Sequence, residues 1–338
     1  MTAMNLATQL RLRAFGGDAD LPAMAALARR ANAADNVDER PTVELLSAWV
    51  HNLVNADPQE DILLAEVAGA LVGYQHTSWR REDVGGIIYQ LSGYVDPDWR
   101  RQGIGTTLVE RGEARLRALA AQRLGDEPRL LSTFTPASRV GKVALFEQRG
   151  YRVVRHFYEM LRAPLDDLPP LPTGPQFRMG MPPGFELRPA GHDRPALRAI
   201  WEASEEAFRD HWGARPPTEA DFQRLLDQPN HDPDLWVVAW DTASGQIAGS
   251  SINALAAAES AALGRARGWV QDLSVRRPFR RRGLGRALLL HSLYALRARG
   301  AVEAALGVDA ENPNSALRLY ESVGFKTFQD GLVLRKPI

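Results

Sequence analysis

The residues with the plainest chemical purpose in this sequence form a loop that is written twice. Arg100-Arg101-Gln102-Gly103-Ile104-Gly105 returns about 180 residues later as Arg280-Arg281-Arg282-Gly283-Leu284-Gly285. Each copy follows an apolar run ending in valine, Val95 or Val275, and each leads into a helix-like stretch. A strand, a glycine turn and a helix start together offer backbone N–H groups and the positive end of a helix dipole to an anion. The glycines let the backbone approach a pyrophosphate with no Cβ in the way. The dinucleotide fingerprint needs a third glycine where this chain has Leu108 or Leu288, and neither copy carries the Gly-Lys-Ser/Thr of a Walker loop. The spacing therefore reads as two related domains, each built around a backbone site for a phosphorylated ligand.

A second repeated feature fixes the register. The C-terminal half continues through Leu306-Gly307-Val308-Asp309-Ala310-Glu311-Asn312 to Leu319-Tyr320 and Gly324-Phe325. The N-terminal half runs through Leu130 to Thr135, then Leu145-Phe146 and Gly150-Tyr151. Tyr320 precedes Gly324 by the same interval as Phe146 precedes Gly150, so Phe146 stands where the second half has tyrosine. The Arg-x-x-Gly-x-Gly loop with this ending resembles the GNAT acetyltransferase superfamily over nearly the whole chain. The tandem layout and the Val-Asp-Ala-Glu-Asn ending are similar to its mycothiol synthase-like branch.

The resemblance implies acetyl-CoA as co-substrate, with no metal. It places the ligand against Leu273-Ser274-Val275, on the loop Arg280, Arg281, Arg282, Gly283, Leu284, Gly285 and Arg286, and beside Asn312 and Tyr320. In the first half the matching positions are Val95, Arg100, Arg101, Gln102, Gly103, Ile104, Gly105 and Thr106. It also gives Tyr320 the role of protonating the leaving thiolate. A phenol can do this and the phenyl ring of Phe146 cannot. The C-terminal half is thus expected to be catalytic, and the N-terminal half a degenerate copy that remains a candidate CoA binder. The plainer alternative is that Tyr320 only packs.

The sequence departs from the family at the base. The histone-acetylating branch has Glu six residues before the valine, where this chain has Trp269 and Tyr89. Asp272 is the nearest carboxylate on the strand and the expected base; its alternative is a carboxylate satisfied by a neighbouring amide. Asp210, His211 and Trp212 follow the first helix of the second half, where the family holds its acceptor. An aspartate can pair with an amine, a histidine can relay a proton and a tryptophan can form a wall, or the last two can simply pack the helix end.

These residues need elements to hold them. Apolar periodicity predicts helices over 21–33 and 195–208, with Asp20 and Asp193 as caps, and over 43–53 and 219–226. It predicts strands over 62–67, 70–75, 235–240 and 246–252, with Gly69 and Gly245 in their turns. The segment 254–268 reads as a loop or a short helix. The fold class is mixed α/β (α+β): two tandem GNAT-like domains, each a mostly antiparallel sheet splayed at the CoA site and flanked by helices. The expected domains are 1–163 and 184–338. Between them, Pro164, Pro169, Pro170, Pro172, Pro175, Pro182 and Pro183 predict a semi-rigid linker over 164–183.

Composition narrows the function classes. Lys+Arg and Asp+Glu both total 41, so no overall field favours nucleic acid or membrane. The run from Arg276 to Arg282 could grip a polyanion, but local phosphates of CoA account for it. There is no cysteine, which excludes disulfides and thiolate chemistry. Met1 to Leu12 lacks a long apolar core, so a cytoplasmic protein is expected, with a monomer favoured over a homodimer. The favoured activity is N-acetylation of a small-molecule amine. Acetylation of a protein or peptide, or CoA binding without turnover, are the alternatives.

Overall fold

The computed structural model describes residues 10–174, 176–312 and 316–338. Pro175 of the proline-rich stretch and the first nine residues of the leader reading lie outside them. The chain forms two compact units: unit 1 is Met1–His156 with Gln329–Ile338, and unit 2 is Phe157–Phe328.

Unit 1 runs β1 (Leu10–Ala14), α1 (Leu21–Ala34), α2 (Val43–His51), α3 (Pro58–Asp61), β2 (Ile62–Val67), β3 (Ala70–Glu82), β4 (Gly86–Val95), α4 (Ile104–Ala121), β5 (Arg129–Pro136), α5 (Val140–Gln148) and the start of β6 (Arg152–Arg162). Its strands pair antiparallel from β1 to β4, and β4 pairs parallel with β5. One apolar cluster joins Leu21, Met24 and Leu27 of α1 to Ile62 and Leu64 of β2. Another gathers Leu116, Phe146 and Tyr151.

Unit 2 takes the rest of β6, then β7 (Phe185–Arg188), α6 (Arg194–Phe208), α7 (Glu219–Leu226), β8 (Val237–Asp241), β9 (Ile247–Leu255), α8 (Ala257–Leu263), β10 (Arg267–Val275), α9 (Leu284–Ala298), β11 (Glu303–Asp309), α10 (Ala316–Glu321) and the first residues of β12 (Lys326–Pro337). Its sheet is antiparallel except where β10 meets β11. The undecided segment after β9 forms the short helix α8, ended by Gly264 in the left-handed region at φ 68°. Leu289, Leu293 and Leu296 of α9 form the core of the unit with Leu306, Val308 and Phe325.

The domain boundaries depart from the expected 1–163 and 184–338. Residues 157–162 of β6 pair antiparallel with β11, from Phe157 opposite Asp309 to Arg162 opposite Ala304. The C-terminal end of β12 pairs with β5 in unit 1, from Gly331 opposite Pro136 to Pro337 opposite Leu130. The closing strands are exchanged. The physical reason is that β5 and β11 each have one edge engaged in a parallel pair and offer the other, and backbone hydrogen bonds do not distinguish which strand fills it. The boundary therefore falls inside β6.

The stretch 164–183 is also not a bare connector. Leu165 and Leu168 are buried in the unit 2 core, the Leu165 N–H donates to the Val302 carbonyl at 3.0 Å, and the Tyr294 hydroxyl donates to the Pro169 carbonyl at 3.2 Å. Leucines set between the prolines anchor it along α9. Asp193 caps α6 through the Ala196 N–H at 2.9 Å, as expected. Asp20 does not cap α1, because its carboxylate accepts from Arg13 and from the Gly16 N–H. Among the described residues no helix is long and apolar enough to cross a membrane.

Candidate active site

Both loops have one backbone geometry. Arg281 and Gly283 lie in the left-handed region at φ 59° and 79°, and Arg101 and Gly103 at 62° and 87°. Left-handed residues at alternate positions turn neighbouring N–H groups toward one concave side, which suits an anion. Gly283 and Gly103 then cap α9 and α4, whose first N–H groups have no helical partner. At the next glycine, a Cβ on Gly285 would lie 3.4 Å from a Leu319 methyl, and one on Gly105 3.4 Å from a Leu145 methyl.

The loop arginines divide by role. Arg280 donates to the carbonyls of Val275 and Ala207, each at 2.9 Å, and to Asp210 at 3.1 Å. Arg100 donates to the Val95 carbonyl at 3.4 Å and to both oxygens of Asp35 at 2.6 and 2.9 Å. These two guanidinium groups tie the loop to the strand before it and to the end of the first helix. Arg276 pairs with Glu206 and Arg277 with Asp210. Arg282 turns to the Pro183 carbonyl and stacks 4.2 Å over the Phe185 ring, outside the cleft. Arg281 and Arg286 line the cleft. In unit 1, Gln102 bonds the Asp98 carbonyl and Ile104 is buried in the core, so neither lines its cleft.

The cleft of unit 2 opens because β10 and β11 pair only from Arg267 to Trp269. A bulge at Gln271, between Val270 and Asp272, turns the end of β10 outward. The cavity of about 590 Å³ brings together Asp272, Leu273, Ser274, Val275, Arg280, Arg281, Gly283, Leu284, Gly285, Arg286, Asn312, Tyr320 and His211. Burial, helped by the charge of Asp272, pushes the Tyr320 hydroxyl up to about 12. Burial pushes Asp272 up to about 6, and its carboxylate has no hydrogen bond or ion pair among the described residues.

A second cavity of about 380 Å³ shares Asp272, His211 and Phe208 with the first, and adds Trp201, Glu205, Trp212 and Arg215. Burial, and then the nearby Asp272, hold Glu205 above its usual range. Burial holds His211 below its usual range, and the ring packs 4.5 Å from Phe208. Asp210 lines neither cavity. Arg277 and then Arg280 hold its carboxyl down at about 2. Glu205 and Phe157 are among the lining residues that escaped the sequence reading. Glu205 shares a face of α6 with Trp201 and Phe208, a signal that helical spacing carries. Phe157 lines the larger cavity and has its ring 6.2 Å from that of Trp212, but only the strand exchange puts it in unit 2.

Unit 1 has a smaller cleft of about 360 Å³, lined by Val95, Arg100, Arg101, Gly103, Gly105, Thr106 and Phe146. Here β4 and β5 pair from Ile87 to Gln90 and then part, but the β3–β4 register is continuous and carries no bulge.

The residues of both clefts fit a phosphate-bearing thioester: a nest of N–H groups, a helix start and an unpaired strand edge. Residues 197–325 match the model of the acetyltransferase (GNAT) family, and residues 58–153 match the model of a GNAT acetyltransferase domain. A mycothiol acetyltransferase of Beutenbergia cavernae is 30% identical over 309 residues, covering 89% of this chain and 90% of the relative. One from Thermobifida fusca is 36% identical over 129 residues, 38% of this chain and 39% of that relative. Among solved structures, a GCN5-related N-acetyltransferase from Sphaerobacter thermophilus has TM-score 0.74 at 30% identity, covering 97% of this chain and 95% of the other. A tandem GNAT protein from the clavulanic acid biosynthesis pathway, at 16% identity and TM-score 0.68, covers 97% of this chain and 98% of its own and shares the fold.

Proposed function

The chain belongs to the GNAT acetyltransferase family, and we propose that it transfers an acetyl group from acetyl-CoA to the amine of a small molecule in the cleft of unit 2. The observation that carries this reading is the position of Asp272, which lines both cavities with Tyr320 on the larger one. A carboxyl at about 6 is ionised at neutral pH and takes a proton; a phenol at about 12 is protonated and gives one. The two groups are held in opposite protonation states at the same pH.

In this mechanism the N–H groups around Arg281 to Gly285 hold the pyrophosphate, and the edge of β10 from Leu273 to Val275 holds the pantetheine. The acceptor enters the second cavity, where Glu205 and Asp272 attract its ammonium form. Asp272 removes the proton, directly or through water, and the amine attacks the thioester carbonyl. Tyr320 protonates the departing sulfur and is reprotonated by the second proton that the acylated nitrogen gives up. Trp201, Trp212 and Phe208 supply the apolar walls that a small acceptor needs, and acceptor KM is expected to depend on them. The mycothiol acetyltransferases among the relatives are named for a small-molecule acceptor, which agrees.

Thiol release from acetyl-CoA, measured against small amines and against peptides, tests the proposal. Turnover with a small amine is expected, and Glu205→Gln should raise the acceptor KM about tenfold while leaving the acetyl-CoA KM unchanged. Turnover on peptides alone, or acetyl-CoA binding with no release against any amine, would overturn it.

A further inference from the structure

The 41 basic residues of this chain include only three lysines, Lys142, Lys326 and Lys336. Lys336 is held by Glu113 at 2.7 Å and by the Arg149 carbonyl at 3.0 Å, and Lys326 is exposed. Lys142 lies in the unit 1 cleft. It sits on α5 one turn before Phe146, so both project toward the same side of the helix. Its Nζ reaches the Gly93 carbonyl at 3.4 Å, on the part of β4 that has left β5. Where Val95 is matched with Val275, Gly93 corresponds to Leu273; where Phe146 is matched with Tyr320, Lys142 corresponds to Ala316. The first unit thus carries an amine where the second has a methyl group, beside the strand edge proposed to hold the end of the pantetheine.

We propose that Lys142 is a self-acetylation site, its side-chain amine attacking the thioester of an acetyl-CoA held in the unit 1 cleft. The inference rests on the reading that the unit 1 loop holds acetyl-CoA. The Nζ–carbonyl bond forms and the carbon–sulfur bond breaks. The proton lost by the amine goes to the departing thiolate, giving acetyllysine and free CoA. Phe146 supplies no proton, and none beyond the amine's own is required.

The charged and titratable groups around Lys142 come from three directions. Arg139 lies at the start of α5 over the Tyr94 ring, Asp35 follows α1 and is held by Arg100, and His76 stands on β3. Burial, reinforced by Arg139 and opposed by Asp35, brings the Lys142 amine down to about 7. A substantial neutral fraction is therefore present at physiological pH, which a nucleophile requires.

The experiment incubates the full chain with acetyl-CoA and maps acetylation by peptide mass spectrometry after cleavage at acidic residues, with acetyl-CoA equivalents counted by calorimetry. Expected is acetylation of Lys142 at least tenfold faster than of Lys326, rising with pH through about 7. Both Lys142→Arg and Lys142→Gln should abolish it, and Gly103→Leu should suppress it by emptying the cleft. Equal labelling of Lys142 and Lys326, or labelling that survives Gly103→Leu, would mark uncatalysed surface chemistry and overturn the proposal. Two equivalents of acetyl-CoA bound with Lys142 unmodified would overturn it while leaving the unit 1 binding reading intact. A single equivalent, unaffected by Gly103→Leu, would remove that reading and the proposal with it.

Discussion

Arg280 and Asp210, 70 residues apart in the chain, are joined at 3.1 Å, and Arg100 and Asp35 make the corresponding join at 2.6 Å in the other unit. In both cases the arginine also donates to the carbonyl of the valine that ends the preceding strand. The first arginine of the motif is thus a clamp that fixes the loop. Asp210→Asn should therefore loosen the loop, raising the acetyl-CoA KM about three- to tenfold with a smaller change in kcat. Steady-state kinetics with acetyl-CoA varied checks this; an effect confined to the acceptor KM would return Asp210 to the acceptor site.

The exchange of tyrosine for phenylalanine between the units gives a second prediction. Tyr320→Phe retains the ring that packs 6.0 Å from Phe325 and removes only the hydroxyl. If the hydroxyl donates to the thiolate, kcat should fall by about a hundredfold while the acetyl-CoA KM changes by less than about twofold. A loss of less than about threefold in kcat would leave Tyr320 as a packing residue. With burial holding its pKa at about 12, the wild-type donor should show no alkaline limb below about pH 10.

Much of this was legible in the sequence because it depends on local backbone geometry. The Gly283 and Gly103 positions, the valines before them and the Tyr320–Phe146 equivalence all follow from fixed spacings within one strand–turn–helix unit. The strand over 62–67 and the helix over 219–226 appear with the predicted bounds. What was not legible depends on pairing at a distance. No periodicity tells Phe157 whether its strand will join β5 or β11, because both edges ask for the same hydrogen bonds. The surroundings of Asp210 were illegible for a similar reason: its partners, Arg277 and Arg280, come from a loop 67 and 70 residues away. A polar residue beside a cleft has no readable role until its ion pairs are known.

Asp272 yields a prediction that couples activity to stability. Its folded pKa of about 6 lies above the ordinary 3.8, so the folded chain keeps a proton that the unfolded chain gives up between those values. Stability attributable to this group is highest below about pH 4, falls as pH rises to about 6, and stays reduced above, by about 3 kcal/mol at most. Asp272→Asn should remove this penalty and unfold no more easily than wild type at pH 8. The same substitution should lower turnover by more than tenfold and erase the acidic limb near pH 6 in kcat/KM. Denaturant melts and a pH–rate profile check the two halves. A destabilised variant with unchanged turnover would make Asp272 a structural carboxylate.

The proposed division of labour between the units is tested at Gly283 and Gly103. Each sits in the left-handed region at the start of a helix, where a side chain costs about 1–2 kcal/mol. Gly283→Leu and Gly103→Leu should both remain folded, since a Cβ at Gly283 would approach only Pro182, at 3.7 Å, and one at Gly103 nothing within 4 Å. With a thermal melt as the folding control, calorimetric titration of acetyl-CoA should find that Gly283→Leu removes one equivalent together with all turnover on an external amine. Gly103→Leu should remove the other equivalent and leave that turnover within about threefold. If Gly283→Leu alone abolished all binding, unit 1 would be a scaffold that keeps the loop without the ligand. If turnover survived Gly283→Leu, the catalytic cleft would belong to unit 1, where the thiolate would have to take its proton from a group other than Phe146.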